Sequence, residues 1–141
     1  MKFAYARYQV TPSLTAPNQV ILYRPHIPVR FVGPNGFRDV YALVDTGADE
    51  SFVTESMAEK LGVVPLSDET FLIHSASGSM SVWYGRITIE IADHFDEHSI
   101  SVVVGVVSQD WTEMILGHIG FLEFFDATFS DTDRTIELIR R

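Results

Sequence analysis

Tyr41-Ala42-Leu43-Val44-Asp45-Thr46-Gly47-Ala48 sets an acid, a hydroxyl and two small residues directly behind an apolar strand. A carboxylate at such a strand end can be held by the backbone N–H of Gly47, and small residues there let a second backbone come close. Thr46 brings a hydroxyl able to anchor the loop. About seventy residues later, Met114-Ile115-Leu116-Gly117 again runs an apolar strand into glycine, where a side chain would obstruct a neighbouring loop. The two elements are expected to pack together. The plainer reading of Asp45 is a carboxylate that caps the turn into 48–53, since Asp is common in turns.

Working outward, Gly33-Pro34-Asn35-Gly36 supplies residues that accept positive φ, so 27–32 and 38–44 are predicted to form the hairpin that delivers Asp45. Aromatic and β-branched residues punctuated by turn residues predict a mostly antiparallel β protein. The other predicted strands are 3–9, 19–23, 70–75, 81–91, 99–107, 114–116, 127–129 and 135–139. One helix is predicted over 55–61, capped by Thr54 or Ser56, with Glu59 three residues after Ser56 and Gly62 placed to end it. A second short helix is predicted from Ile119, with Phe121, Leu122 and Phe125 on one face.

The 141 residues suit one domain, and 46 % apolar with 21 % charged residues is a globular balance. Ten Lys plus Arg against nineteen Asp plus Glu leave a net charge of −9, which repels phosphate backbones and anionic lipid. Neither nucleic acid nor membrane is an expected partner. The absence of cysteine excludes disulfides, thiolate zinc sites and a thiol nucleophile, and permits a cytoplasmic location. Arg7 interrupts the first residues, so no secretory signal is expected, and the apolar run 100–107 is too short to span a bilayer.

Ala42-Leu43-Val44-Asp45-Thr46-Gly47-Ala48 followed by Ile115-Leu116-Gly117 resembles the retropepsin-like aspartic proteases, and the likeness covers most of 29–138. It implies an all-β, retropepsin-like acid protease fold spanning 1–141: a closed, barrel-like single lobe with one or two short helices and a flap hairpin. It also implies an aspartic endopeptidase acting on peptide or protein, with no metal or organic cofactor. Asp45 is then catalytic and Thr46 and Gly47 fix it. Ala48 and Asp49 on the floor, and Ser77, Gly78 and Ser79 at the flap tip, are the implied substrate contacts. Phe71-Leu72-Ile73-His74-Ser75-Ala76-Ser77-Gly78-Ser79-Met80-Ser81-Val82-Trp83-Tyr84 fits such a flap, two strands around a small-residue tip in which Gly78 gives backbone freedom. An ordinary surface hairpin has the same pattern, and Trp83 and Tyr84 fit either substrate contact or core cover.

Hydrolysis by this route needs an ionised carboxyl to take a proton from water and a protonated one to donate to the substrate carbonyl. The chain holds no second motif: Asp131-Thr132-Asp133 lacks glycine and Asp126-Ala127-Thr128 has the wrong order. The second Asp45 is therefore expected from another chain across a two-fold axis, giving a homodimer. The resemblance implies that the pair shares a proton, titrates as a unit and works best at mildly acid pH.

Retroviral members usually carry Arg after the second glycine, paired with an acid two residues past the first. Here His118 replaces it and Asp49 is the acid, so a pH-sensitive His118–Asp49 pair is expected, against His118 as a solvated loop residue. The retroviral enzymes also pair through terminal strands, for which 136–141 and 3–9 are candidates. Asp93-His94-Phe95-Asp96-Glu97-His98 reads as a solvated turn ahead of a metal site, and His26 and His74 stand alone. Two rival readings remain at this stage. One is a non-catalytic retropepsin-like peptide-binding or dimerisation module, and the other is an unrelated small β-barrel with an internal ligand.

Overall fold

Alternation of apolar and polar residues builds most of this protein, and the computed structural model describes residues 1–76, 78–108 and 113–141. The strands are β1 (Lys2–Ala4), β2 (Ala6–Gln9), β3 (Ile21–Arg24), β4 (His26–Gly33), β5 (Gly36–Val44), β6 (Phe52–Thr54), β7 (Phe71–Ser75), β8 (Gly78–Ala92), β9 (Glu97–Val107), β10 (Ile115–Leu116), β11 (Phe125–Ser130) and β12 (Thr135–Arg140). In β8 the pattern is plain: Val82, Ile87, Ile89 and Ile91 are buried while Arg86, Glu90 and Ala92 face out. The helix α1 (Glu55–Leu61) has the predicted bounds.

Seven strands make one sheet in the order β4-β5-β10-β6-β9-β8-β7, and β4 pairs β8 as well, folding the sheet back on itself. The all-β single lobe expected from the sequence is thereby found, with β7 and the start of β8 as the flap hairpin outside the fold-back. The β4–β5 hairpin is also as predicted, with Gly33 opposite Gly36 and His26 opposite Leu43. Two parallel pairings, β5 with β10 and β6 with β9, thread the centre. The main core joins Phe31, Leu61, Ile89, Leu116, Phe121, Phe125 and Leu138 with their neighbours, and each fully buried side chain of this kind stabilises by about 1.5–3 kcal/mol. A second cluster of Phe52, Met80, Val82, Val107 and Ile115 lies under the base of the flap.

Three details differ from the sequence reading. The strand expected over 3–9 divides at Tyr5: its N–H donates to Arg134 O at 2.7 Å in the register of the β1–β12 ladder, and from Ala6 on the chain pairs with β3 instead. The helix expected from Ile119 is a single 3-10 turn, Leu122–Phe124, because Gly120 adopts φ +91° and Phe125 already begins β11. β6, which the sequence did not reveal, carries three buried residues between the Asp45 loop and α1. The α1 cap is Thr54, whose Oγ1 accepts from Met57 N–H at 3.2 Å, and Gly62 closes it in the left-handed region at φ 72°.

The terminal strands pair with each other inside one chain. β12 lies between β1 and β11, with Phe3 opposite Ile136 and Thr128 opposite Glu137. Both edges of the last strand are thus occupied without a second copy.

Candidate active site

Asp45 follows β5 at a half-buried position, on a loop braced from behind by the chain after β10. Asp45 N–H donates to Leu116 O at 3.1 Å, His118 N–H to Ala48 O at 3.0 Å and Ile119 N–H to Asp49 O at 2.8 Å. The expected packing of the two apolar-strand motifs is therefore found, with Ile115 beside Leu43 and Leu116 beside Val44. Gly117 permits it: a Cβ there would stand 2.6 Å from Glu50 C and 2.7 Å from Ala48 O. Within the loop Gly47 N–H donates to Asp45 Oδ1 at 2.8 Å. That bond fixes one carboxylate oxygen.

Thr46 is exposed, and its hydroxyl engages no partner among the described residues; its carbonyl instead accepts from His118 Nε2 at 3.1 Å. The pair expected between His118 and Asp49 is accordingly not formed. The imidazole reaches the backbone of the catalytic-type loop, a contact that needs a ring N–H and no positive charge.

Two residues that sequence reasoning missed complete the brace. Ser51 is 2 % exposed; its Oγ donates to Ile119 O at 2.9 Å and accepts from Gly117 N–H at 3.0 Å. Glu50 Oε2 accepts from the Tyr84 hydroxyl at 2.7 Å, tying the flap strand β8 to the floor. Burial first, then the hydrogen bond and the charge of Glu50, push the Tyr84 phenol up to about 12, so it stays a donor at any working pH. The only sequence signal for Ser51 was a small polar residue just ahead of an apolar stretch. The Glu50–Tyr84 pair, far apart in the chain, had none.

The loop forms the floor of an open groove of about 1000 Å³. Asp45, Gly47, Ala48 and Asp49 line it together with Ile73, Ala76 and Tyr84 of the flap side. The flap is the β7–β8 hairpin, with Ser75 opposite Gly78 and His74 Nδ1 2.8 Å from Ser79 Oγ. Gly78, at φ +123° and with room where a Cβ would stand, sits at the tip. Of the expected substrate contacts, Ala48 and Asp49 line the groove, Gly78 and Ser79 lie at the flap tip and not in the lining, and Ser77 lies outside the described residues. Trp83 packs on the main core, whereas Tyr84 lines the groove.

Other candidates fall elsewhere. Asp126 pairs with Arg141 at 2.7 Å, and Asp133 closes a turn through Ser130. In the 93–98 segment, 93–96 form a tight turn in which Asp93 Oδ1 accepts from the N–H groups of Phe95 and Asp96, both at 2.9 Å, and Glu97 and His98 begin β9. No cluster of metal-binding side chains occurs among the described residues. No helix there is long and apolar enough to cross a membrane.

A single lobe of folded-back sheet, a carboxylate on a strand-end loop and a hairpin over the groove define a protein of the single-lobed acid protease class. The family model of gag-polyprotein putative aspartyl proteases matches residues 32–123, more than half of the chain. The chain belongs to that family, and with it to the aspartic-type endopeptidases. Among solved structures it is similar to the protease of equine infectious anaemia virus (EIAV) complexed with the inhibitor HBY-793, with 23 % identity over 67 % of this chain and 82 % of that one and a TM-score of 0.50. It is also similar to a retropepsin-like aspartic protease from Rickettsia conorii, with 18 % identity over 95 % of this chain and 98 % of that one and a TM-score of 0.54. These likenesses are of fold. No curated protein matches the chain.

Proposed function

We propose that residues 1–141 act as one domain of a homodimeric aspartic endopeptidase whose catalyst is a pair of Asp45 carboxyls meeting across a two-fold axis. The observation that carries this reading is Asp45 itself, its Oδ1 held by Gly47 N–H on the floor of a groove large enough for an extended peptide. One oxygen is held, and the carboxyl is left in contact with the groove where a water and a substrate carbonyl would sit. The ionised member of the pair takes the proton of that water as it attacks the carbonyl carbon, and the protonated member donates to the carbonyl oxygen. The gem-diol intermediate then expels the amine: the protonated carboxyl gives its proton to the nitrogen as the C–N bond breaks, and the other takes one from a gem-diol hydroxyl, so the dyad again holds one proton. Thr46 and Gly47 hold the loop, Ala48 and Asp49 meet the substrate main chain, and the flap tip around Gly78 and Ser79 closes over it.

The substrate in this reading is peptide or protein. The net charge of −9 supports that over nucleic acid or an anionic lipid surface, and the lack of cysteine fits action in the cytoplasm. The mechanism calls on no metal or organic cofactor.

Mixing tests the dyad directly. Wild type and Asp45→Asn are combined in equal amounts at fixed total concentration, allowed to exchange, and assayed on a peptide library. A site needing both carboxyls leaves about one quarter of the activity by random pairing, whereas a site complete in one chain leaves about one half. Activity of pure Asp45→Asn equal to wild type would remove Asp45 from the mechanism.

A further inference from the structure

Residues 6–24 form an arm that the core does not use. β2 and β3 pair with each other and with no other strand among the described residues. The ladder continues beyond them: Val10 N–H donates to Val20 O at 2.9 Å, and Ser13 and Ala16 exchange backbone hydrogen bonds of 3.3 and 3.1 Å around a turn at Leu14-Thr15. At ~3.3 Å per residue the arm reaches about 23 Å from Ala6 to Ser13. None of its residues belongs to either hydrophobic cluster. Leu14, in the turn at its tip, is nonetheless 102 % exposed, and Val20 further down is 53 % exposed. A two-stranded ribbon without a third layer is marginal in water, so this one gains from a surface to lie on.

The root of the arm stands beside Asp45. Pro25, which ends the arm, accepts from Val44 N–H at 3.0 Å, and His26 lies opposite Leu43. The Tyr8 ring packs 5.0 Å from His26, and Arg24 Nη1 bonds Glu113 at 3.0 Å. The arm therefore leaves the body at the end of the sheet where β5 delivers the carboxylate. Its charge is opposite to that of its surroundings: it holds Arg7 and Arg24 and none of the nineteen acids of a chain with net charge −9. Arg7 is exposed and makes no ion pair among the described residues. The groove face beside it presents Asp45, Asp49 and Glu50.

Two such acidic faces repel as they approach, and a cation laid between them offsets the repulsion. The terminal strands are already paired within the chain, with both edges of β12 taken. We propose that the β2–β3 arm is the clasp of the homodimer: the arm of each protomer crosses beside the two-fold axis and lays Leu14 on the body of the other copy, while Arg7 near its root offsets the charge of the acids that the two copies bring together, and the groove stays open to substrate. The inference rests on the dimeric reading above and adds which surface holds the dimer together.

Sedimentation velocity and peptide cleavage over a dilution series test it with Leu14→Asp, Arg7→Gln and a chain in which 10–20 is replaced by Asn-Gly, a turn that keeps the short ladder. Leu14 touches nothing in the folded chain, so Leu14→Asp leaves circular dichroism unchanged. Leu14→Asp and the shortened arm each raise the dimer dissociation constant about tenfold or more, with cleavage lost at low concentration and regained at high. Arg7→Gln reduces the weakening of the dimer by salt. A wild-type dimer whose dissociation constant none of the three changes overturns the clasp and leaves the dyad standing. Wild type that cleaves as a monomer at every dilution removes the dimeric reading itself. Variants that keep the dimer and only raise KM for a protein substrate make the arm a substrate-docking element and also overturn the clasp.

Discussion

Ser51→Ala removes one oxygen from the brace behind the Asp45 loop, and the structure gives the cost. The hydroxyl accepts from Gly117 N–H at 3.0 Å and donates to Ile119 O at 2.9 Å, in a residue 2 % exposed. In the alanine variant Ile119 O keeps the Ser51 N–H, 3.0 Å away, so the penalty falls on Gly117 N–H, buried and left without an acceptor. An unsatisfied buried donor costs about 1–3 kcal/mol, and about 2 kcal/mol is expected here. With a urea slope of about 2 kcal/mol/M the unfolding midpoint drops by about 1 M at a fixed protein concentration. Activity falls as well, because Leu116, next to Gly117, holds the Asp45 N–H at 3.1 Å. A loosened strand end then misplaces the carboxylate, and kcat/KM falls by about tenfold or more. Ser13→Ala, at an exposed serine in the arm, serves as control and stays within about 0.5 kcal/mol of wild type. Should Ser51→Ala unfold at the same urea concentration as that control, the brace does not work as described.

Gly117→Ala forces a Cβ against Glu50 and Ala48 backbone that cannot step aside, at 2.6 and 2.7 Å; a loss of about 3 kcal/mol is expected, and a midpoint equal to wild type in urea would show that the loops do not meet. Asp93 has its carboxyl held down at about 2 by the N–H groups of Phe95 and Asp96, then of Lys2. The stability it contributes is complete above its ordinary value of 3.8 and is lost as pH falls toward 2, so Asp93→Ala flattens the acid limb of unfolding followed by circular dichroism. Tyr84 carries the opposite sign: raised to about 12, it contributes stability that is whole below 10 and lost as pH climbs through 12, and Tyr84→Phe removes that alkaline window from an ultraviolet titration. Burial holds His26 below its ordinary 6.5, with Glu113 opposing. Its contribution is present above 6.5 and declines as pH falls toward its folded value, so His26→Phe yields urea midpoints that no longer drop across the mildly acid range.

What the sequence could show were features written in short stretches of chain. Gly33-Pro34-Asn35-Gly36 can hardly be anything but a turn, and it sets the register that ends in Asp45. Thr54 and Gly62 bracket a helix whose limits follow from cap chemistry alone. Where context decides, local reading fails. Phe121, Leu122 and Phe125 have helical spacing, yet Phe125 is claimed by the β11–β12 ladder opposite Arg140, and a 3-10 turn is all that fits. β6 has only three residues, all buried, so it offers no alternation to detect. His118 was read against Asp49 because the family resemblance implies a pair at those positions, but in the structure its ring meets the Thr46 carbonyl.

The same division holds between floor and flap. The tip of the hairpin could be read from its small residues, whereas its hinge depends on which neighbours β8 keeps. Among the described residues the ladder of 79–81 is with β7, and pairing with β9 begins at Val82 opposite Val107. Just past that point Tyr84 bonds Glu50 of the floor at 2.7 Å. The hairpin before Val82 thus lacks the β9 ladder that fixes the part of β8 beyond Tyr84 to the sheet, where Tyr84 also ties it to the loop that carries Asp45. A flap movement is therefore expected to hinge near Val82, over a floor held by the sheet. In the proposed reading, closure over a peptide would need only this hairpin to bend, with Asp45 kept in the position set by Gly47, Leu116 and Ser51.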